Sequence, residues 1–333
     1  MAELHLPVLD LLLVRSNPLV LRCSPAIPVA APRCRIARLA ANATSSSKRK
    51  RDFSVEQWTE EDLEATAAAP TVVTSMMSFY NAIAILEVPR DSPSEFAGAR
   101  LLLLDQTGNV HSIYKEDSVW VGSYWDEFSS LPPIIPRGPI AILGLGGGTA
   151  ARLLLHLWPE RELIGWEIDE ILIDKARDYL GLSELEGKNK HGGGLTIHID
   201  DALSDANDPK GGFAGIVVDL FSNGDVLPVL KEAETWFKLR KRLRPGGRIM
   251  INCVEEQRRG HDDDETLQST ITGENHVLYA MSKAFPGEVN WRKLDQVNNK
   301  MAFTGPLPNL TQWSQAVPER LRKGTLQWKA FIQ

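Results

Sequence analysis

Apolar residues along this chain change spacing in a way that marks alternating strands and helices. Ile140 to Leu143 is a short unbroken apolar run, the length of a strand buried on both faces. Gly144, Gly146, Gly147 and Gly148 follow it. Ala150, Leu153, Leu154 and Leu157 then recur at i, i+3, i+4, i+7, which gives a helix with one apolar face. A second apolar run, Leu163 to Trp166, ends in Glu167. Strand, glycine turn, helix, strand and acid make the βαβ layout of a nucleotide-binding α/β fold. The glycines admit positive φ and let a ligand approach bare backbone. An acid at the second strand tip is placed to accept both ribose hydroxyls of an adenosine.

The same alternation continues downstream. A helix is expected over Glu170–Leu180, a strand over Leu195–Ile199 ending in Asp200 and Asp201, and a strand over Gly215–Val218 ending in Asp219. Leu230, Ala233, Trp236 and Phe237 fall on one face of a further helix. Pro245-Gly246-Gly247 closes it before a strand at Arg248–Cys253. Val289–Leu294 and Lys300–Thr304 pair as a terminal hairpin. Seven strands are expected in all, with acids at the tips of the second, third and fourth.

Upstream, from Thr71, the texture is that of strands. Asn81–Val88, Ala99–Asp105 and Val110–Tyr114 are apolar segments, the last two joined by the turn signal Gln106-Thr107-Gly108-Asn109. The expected organisation is a leader at 1–51, a linker at 52–70, a small N-terminal β-domain at 71–130, a proline-rich hinge at 131–139, and a catalytic domain at 140–333.

Composition alters this picture mainly at the N-terminus. Hydrophobic content of 43% and charged content of 24% are ordinary for a soluble globular chain. No apolar run approaches the roughly 18 residues of a membrane span. No acidic residue occurs between Leu11 and Ser47, whereas Arg15, Arg22, Arg33, Arg35 and Arg38 are basic. An Arg-rich, Ser-rich, acid-poor tract has the composition of an organelle transit peptide. Its prolines and the small residues at Ala40-Ala41 favour the chloroplast stroma, with the mitochondrion as alternative; Lys48-Arg49-Lys50-Arg51 also reads as a nuclear signal. Residues 1–51 carry a net +7, so the overall −6 becomes −13 for the remainder. A body that acidic repels nucleic acid and suits a cationic partner, a small-molecule amine or a basic protein.

Two other clusters read as structure. Cys23 and Cys34 lie in the leader, leaving Cys253 alone, with no disulfide framework and no metal-ligand spacing. His261-Asp262-Asp263-Asp264-Glu265 lacks helical spacing and reads as a solvated loop, so no metal is expected. Gly192-Gly193-Gly194 precedes a strand instead of following one, which makes it a linker turn.

The segments GLGGGTAARLLL and WEIDEILIDKARDYLGL resemble the S-adenosylmethionine-binding class I transferases. Within them the chain is most similar to the spermidine synthase family, whose pattern is GGGDGG, a helix, and then EID. The resemblance covers Ser78 to Glu256. It implies a class I methyltransferase (Rossmann-like) sheet behind a small β-domain, and an S-adenosylmethionine or decarboxylated S-adenosylmethionine ligand. By that resemblance Gly144, Gly146, Gly147 and Gly148 lie under the ligand, Glu167 holds the ribose, and either Asp200 or Asp201 takes the adenine amine. Asp219 stands where the family has the aspartate that helps deprotonate the attacking amine. Family members are often dimers, so a homodimer is an expectation.

The departures matter as much. Asn81 stands where the family has Gln, Gln106 where it has Gly, and Ser222 where it has a second substrate-binding aspartate. Thr149 reads as the replacement for the GGGDGG aspartate, which would remove repulsion of a carboxylate and favour intact S-adenosylmethionine. Trp120, Tyr124 and Trp125 fall in the family's gate region, where it has a functional tyrosine; Trp120 is nearest to it, and all three read as core. The leading expectation is therefore methyl transfer to an amine or protein acceptor. The alternatives are aminopropyl transfer from the decarboxylated donor and a catalytically silent module. A dehydrogenase is disfavoured, because no hydride-transfer partner stands out.

Overall fold

Between residues 71 and 115, alternating apolar and polar positions fold into a four-stranded antiparallel meander. Its strands are β1 (Thr71–Met77), β2 (Ala82–Glu87), β3 (Ala99–Leu103) and β4 (Ser112–Lys115). The computed structural model describes residues 69–105, 108–222, 225–254, 275–294 and 299–332. The leader, most of the linker, Gln106-Thr107 of the turn and the His261–Glu265 cluster lie outside the described residues.

A short helix, α1 (Tyr124–Glu127), and a proline-rich stretch lead to the larger sheet. Its parallel part comprises β5 (Ile140–Leu143), β6 (Glu162–Glu167), β8 (Gly194–Ile199), β9 (Phe213–Val218) and β12 (Leu243–Val254). The helices α2 (Thr149–Leu157), α3 (Glu170–Tyr179), α4 (Ala233–Lys241) and α5 (His276–Ala284) alternate with these strands. The antiparallel hairpin β13 (Val289–Lys293) and β14 (Asn299–Thr304) completes the seven expected strands. Two-residue strands, β7 (Gly187–Lys188) and β15 (Lys329–Ala330), extend the edges to nine, in the order β15-β13-β14-β12-β9-β5-β6-β8-β7. The helices α6 (Leu310–Ala316) and α7 (Glu319–Thr325) follow the hairpin. Among the described residues no helix is long and apolar enough to cross a membrane.

Period-two alternation divides the core. Ile140 and Ile142 of β5 face a cluster shared with Leu101 of β3, Leu154 of α2 and Phe303 of β14. Ala141 and Leu143 face a second cluster around Trp166, Phe213, Trp236 and Met281. The small sheet therefore shares its apolar core with one face of the large one.

Three expectations shift. Phe237 is 40% exposed and not on the buried face of α4, because the helix starts at Ala233 and turns Thr235, Trp236 and Leu239 inward. Strand β12 begins at Leu243 and carries Pro245-Gly246-Gly247 inside it as an irregularity, where pairing with β9 slips between Leu243 and Arg248. No helix follows Asp219 directly; a ribbon does, β10 (Phe221–Ser222) against β11 (Asp225–Val226). The stretch at 131–139 is tied to the large sheet, since the Arg161 guanidinium donates to the carbonyls of Pro136 (3.1 Å) and Pro132 (3.0 Å).

Candidate active site

Parallel strands all end on the same side of a sheet, so the tips of β5, β6, β8 and β9 collect the glycines and four acids there. Gly144 has φ +86°, and a Cβ at that position would collide with the Asp219 backbone carbonyl. Gly148 has φ +82° at the cap of α2, where a Cβ would lie 2.6 Å from Leu182. These two glycines are thus demanded by packing as well as by any ligand.

Every loop amide from 144 to 148 has a partner. Those of Gly144 and Leu145 donate to the Trp166 carbonyl and that of Gly148 to the Leu145 carbonyl. The Gly146 amide donates to Glu167 Oε2 (3.1 Å), and the Gly147 amide to Ser112 Oγ (2.8 Å). No nest of open N–H groups is left for a pyrophosphate, which counts against a dinucleotide. A nucleoside needs only a sugar acceptor and an apolar wall. The Glu167 carboxylate could serve as the first, and the partly exposed Ile168 and Ile199 flank it. The residues present thus fit an S-adenosyl group.

Glu167 also accepts from the amides of Ile168 (3.0 Å) and Asp169 (3.2 Å). Burial pushes its carboxyl above the ordinary value, and the three amides oppose that. Its neighbour Asp169 caps α3 by accepting from the Leu172 amide. Ser78 Oγ (2.5 Å) and Asn81 Nδ2 (2.7 Å) both donate to Asp169 Oδ2, so Asn81 anchors the small sheet onto this end of the large one. Asp200 and Asp201 sit at the β8 tip. Asp200 Oδ1 accepts from the Asp201 amide and Asp201 Oδ1 from the Leu203 amide, so both carboxylates shape the turn beside Glu167.

Thr149 requires a correction. It is buried as the first residue of α2, and its hydroxyl accepts from the Ile113 amide (2.9 Å) and donates to the Ile113 carbonyl (3.1 Å). A side chain spent on β4 does not sort ligands. At Gly147, two residues earlier, a Cβ would lie 2.6 Å from Leu180 and 2.9 Å from Ser112.

Asp219, at the tip of β9, gathers the densest set of donors. Tyr124 Oη (3.1 Å) and Trp125 Nε1 (3.0 Å) donate to its Oδ2, and Asn252 Nδ2 (3.2 Å) to its Oδ1. Asn299 Nδ2 in turn donates to Asn252 Oδ1 (2.8 Å). Burial pushes the Asp219 carboxyl up to about 6 against these donors. The core reading of Tyr124 and Trp125 is therefore incomplete: each packs apolar atoms inward and points its polar atom at Asp219. Trp120 is held instead under the Arg320 guanidinium, 5.2 Å from its centroid. One signal for Asn252 lay in the sequence, a polar residue inside the apolar run IMINCV. Ser222 lies exposed on the ribbon after Asp219, paired with Asp225.

The helix carrying Tyr124 and Trp125 is itself tied down. Asp126 accepts from the amides of Val121 (3.2 Å) and Gly122 (2.9 Å), and burial pushes its carboxyl up to about 6. Glu127 makes a buried ion pair with Arg292 of β13.

The fold is a Rossmann-like α/β sheet behind a small antiparallel N-terminal sheet. More narrowly, the fold is spermidine synthase-like. A probable spermidine synthase from Corynebacterium glutamicum superposes with a TM-score of 0.55 at 16% identity, covering 78% of this chain and 90% of that one. A spermidine synthase in complex with the transition state analogue AdoDATO superposes with a TM-score of 0.50 at 18% identity, over 70% and 73% of the two chains. No family model matches the sequence. It is 27% identical over 164 residues to a probable polyamine aminopropyl transferase of Bifidobacterium longum, which is 49% of this chain. The match spans about a third of that relative's length (34%).

Proposed function

We propose that this chain is a transferase that moves the aminopropyl group of decarboxylated S-adenosylmethionine onto an aliphatic amine. One observation carries the reading: Asp219 sits at a strand tip against the glycine turn, held by Tyr124, Trp125 and Asn252. The similarity to a polyamine aminopropyl transferase supports the same choice.

Glu167 is the group that would receive the ribose, with Asp200 or Asp201 on the adenine side. The bound donor supplies a sulfonium carbon open to displacement. Asp219 attracts the acceptor's ammonium and holds its nitrogen in line, and positioning of this kind carries most of the catalysis in such a displacement. The acidic surface, a net −13 outside residues 1–51, favours a cationic acceptor.

A second reading, methyl transfer from intact S-adenosylmethionine, is favoured by one feature. The glycine loop from Gly144 to Thr149 presents no carboxylate. Calorimetry on the full chain with each donor separates the two readings. Tighter binding of the decarboxylated donor, with an aminopropylated putrescine or spermidine by mass spectrometry, is expected. Preference for the intact donor with methylated product would replace the first reading by the second. The arginine-rich, acid-poor residues 1–51 support a plastid address, which imaging of that segment fused to a fluorescent protein would test.

A further inference from the structure

The small sheet reaches both turns that line the nucleoside side of the cleft. At the glycine turn, Ser112 Oγ of β4 accepts from the Gly147 amide (2.8 Å), and the Ile113 backbone holds the Thr149 hydroxyl. At the acid turn after β6, Ser78 Oγ (2.5 Å) and Asn81 Nδ2 (2.7 Å) donate to Asp169 Oδ2. Both donors stand between β1 and β2. The two turns are joined by the Gly146 amide, which donates to Glu167 Oε2 (3.1 Å). Residues 71–115 therefore brace the surroundings of the Glu167 carboxylate from two sides.

Asp169 faces two ways. Its amide donates to Glu167 Oε1 (3.2 Å), beside the Ile168 amide (3.0 Å) on the same oxygen. The residue is 1% exposed, and its carboxylate has three donors: the Leu172 amide on Oδ1 (3.3 Å), and Ser78 and Asn81 on Oδ2. The donors from the small sheet are themselves fixed. A hydroxyl has one proton and two lone pairs. Ser78 gives its proton to Asp169 and accepts from the amides of Tyr80 (3.1 Å) and Asn81 (2.8 Å), which closes the β1–β2 turn on itself. A buried carboxylate that loses a donor shifts to find another, because an unmet acceptor away from water is costly. The Asp169 amide belongs to the same residue and shifts with it.

We propose that Asn81 and Ser78, acting through Asp169, are positioning residues for Glu167. Binding of an S-adenosyl ligand and docking of the small sheet then form one linked equilibrium. The inference rests on the reading of Glu167 as the ribose acceptor. With this latch closed, amides on both oxygens hold the carboxylate in one orientation, and the ligand's hydroxyls meet acceptors already in place. With Asn81 gone, part of the binding energy goes into ordering the Glu167 turn. The coupling is reciprocal: whatever factor the closed latch adds to affinity, bound ligand returns to docking of the small sheet. A contact that only joined two sheets would change stability and leave affinity alone.

Calorimetry on the full chain tests this with 5′-methylthioadenosine, an adenosyl compound that lacks the amine and carboxylate of the donors. Asn81→Ala is expected to raise its Kd about tenfold, and Ser78→Ala, the smaller change, to act in the same direction. In a Glu167→Ala background, adding Asn81→Ala should change Kd by less than about twofold, because the group being positioned is gone. An unchanged Kd in both single variants, or fully additive losses, would overturn the proposal. Amide hydrogen exchange gives the reciprocal readout. Saturating ligand should slow exchange across residues 71–87 of the wild type, and unaltered exchange there refutes the linkage. A third measurement needs no ligand: the Glu167 carboxyl carbon, identified by its loss in Glu167→Ala, is titrated by NMR. Asn81→Ala is expected to move that titration upward, because the charged form loses a well-aimed donor, and an unmoved titration sinks the positioning role. A wild-type chain that binds no S-adenosyl compound counts against the ribose reading, and the carboxyl titration still decides what Asn81 does.

Discussion

Trp125 Nε1 donates to Asp219 Oδ2 across 3.0 Å, and Tyr124 Oη donates to the same oxygen across 3.1 Å. Neighbours in sequence thus converge on one atom of a residue more than ninety positions away. Trp125→Phe keeps most of the ring and removes the donor. A hydrogen bond to a charged group contributes roughly 1.5–3 kcal/mol, so kcat/KM should fall about 10- to 100-fold. Because that donor favours the charged carboxylate, the acidic limb of the pH–rate profile should also move upward.

The raised carboxyl of Asp219 has a definite sign in stability. Between the ordinary 3.8 and about 6 the folded chain holds a proton that the unfolded chain does not. This group therefore adds stability as pH falls through 6, and its charge is a cost above that value. Asp219→Asn removes the cost. Its stability relative to wild type should be greater at pH 7.5 than at pH 5, as read from urea denaturation at both values.

Glu167→Gln replaces one acceptor oxygen with a donor that must face either the Gly146 amide, now on Oε2, or those of Ile168 and Asp169, now on Oε1. On the reading of Glu167 as the ribose acceptor, affinity for either S-adenosyl donor should drop at least about tenfold in calorimetry. An unchanged Kd would remove Glu167 from the site.

Thr149→Val leaves both backbone groups of Ile113 without a partner in a buried place. The expected loss is about 1–3 kcal/mol of stability. The ratio of affinities for intact and decarboxylated donor should stay within about twofold. A changed ratio would restore Thr149 as a specificity residue.

Arg292→Met strands Glu127 as an unpaired buried acid, since the two form an ion pair with Arg292 only 4% exposed. Breaking such a pair from one side costs about 3–5 kcal/mol, whereas replacing both partners with apolar residues is far milder. Urea midpoints of Arg292→Met and of Arg292→Met with Glu127→Met should differ accordingly.

The α/β fold, the glycine turn and the acids at strand tips were legible in the sequence, because they depend on local periodicity. An apolar run, a glycine cluster and a helical stripe each declare themselves within about ten residues, and right-handed βαβ connection then sends every strand tip to one side. Chain order also placed Glu167 and Asp219 at those tips. What surrounds them was decided only by tertiary contact. Whether the Thr149 hydroxyl faced a ligand or β4 depended on how the small sheet docked, and β4 is more than thirty residues upstream. The donors on Asp219 come from α1 and β12, and Asn252 is supplied in turn by Asn299 of β14. A side chain's partners across such distances are set by packing of whole elements, and burial then gives each of those pairings its energetic weight.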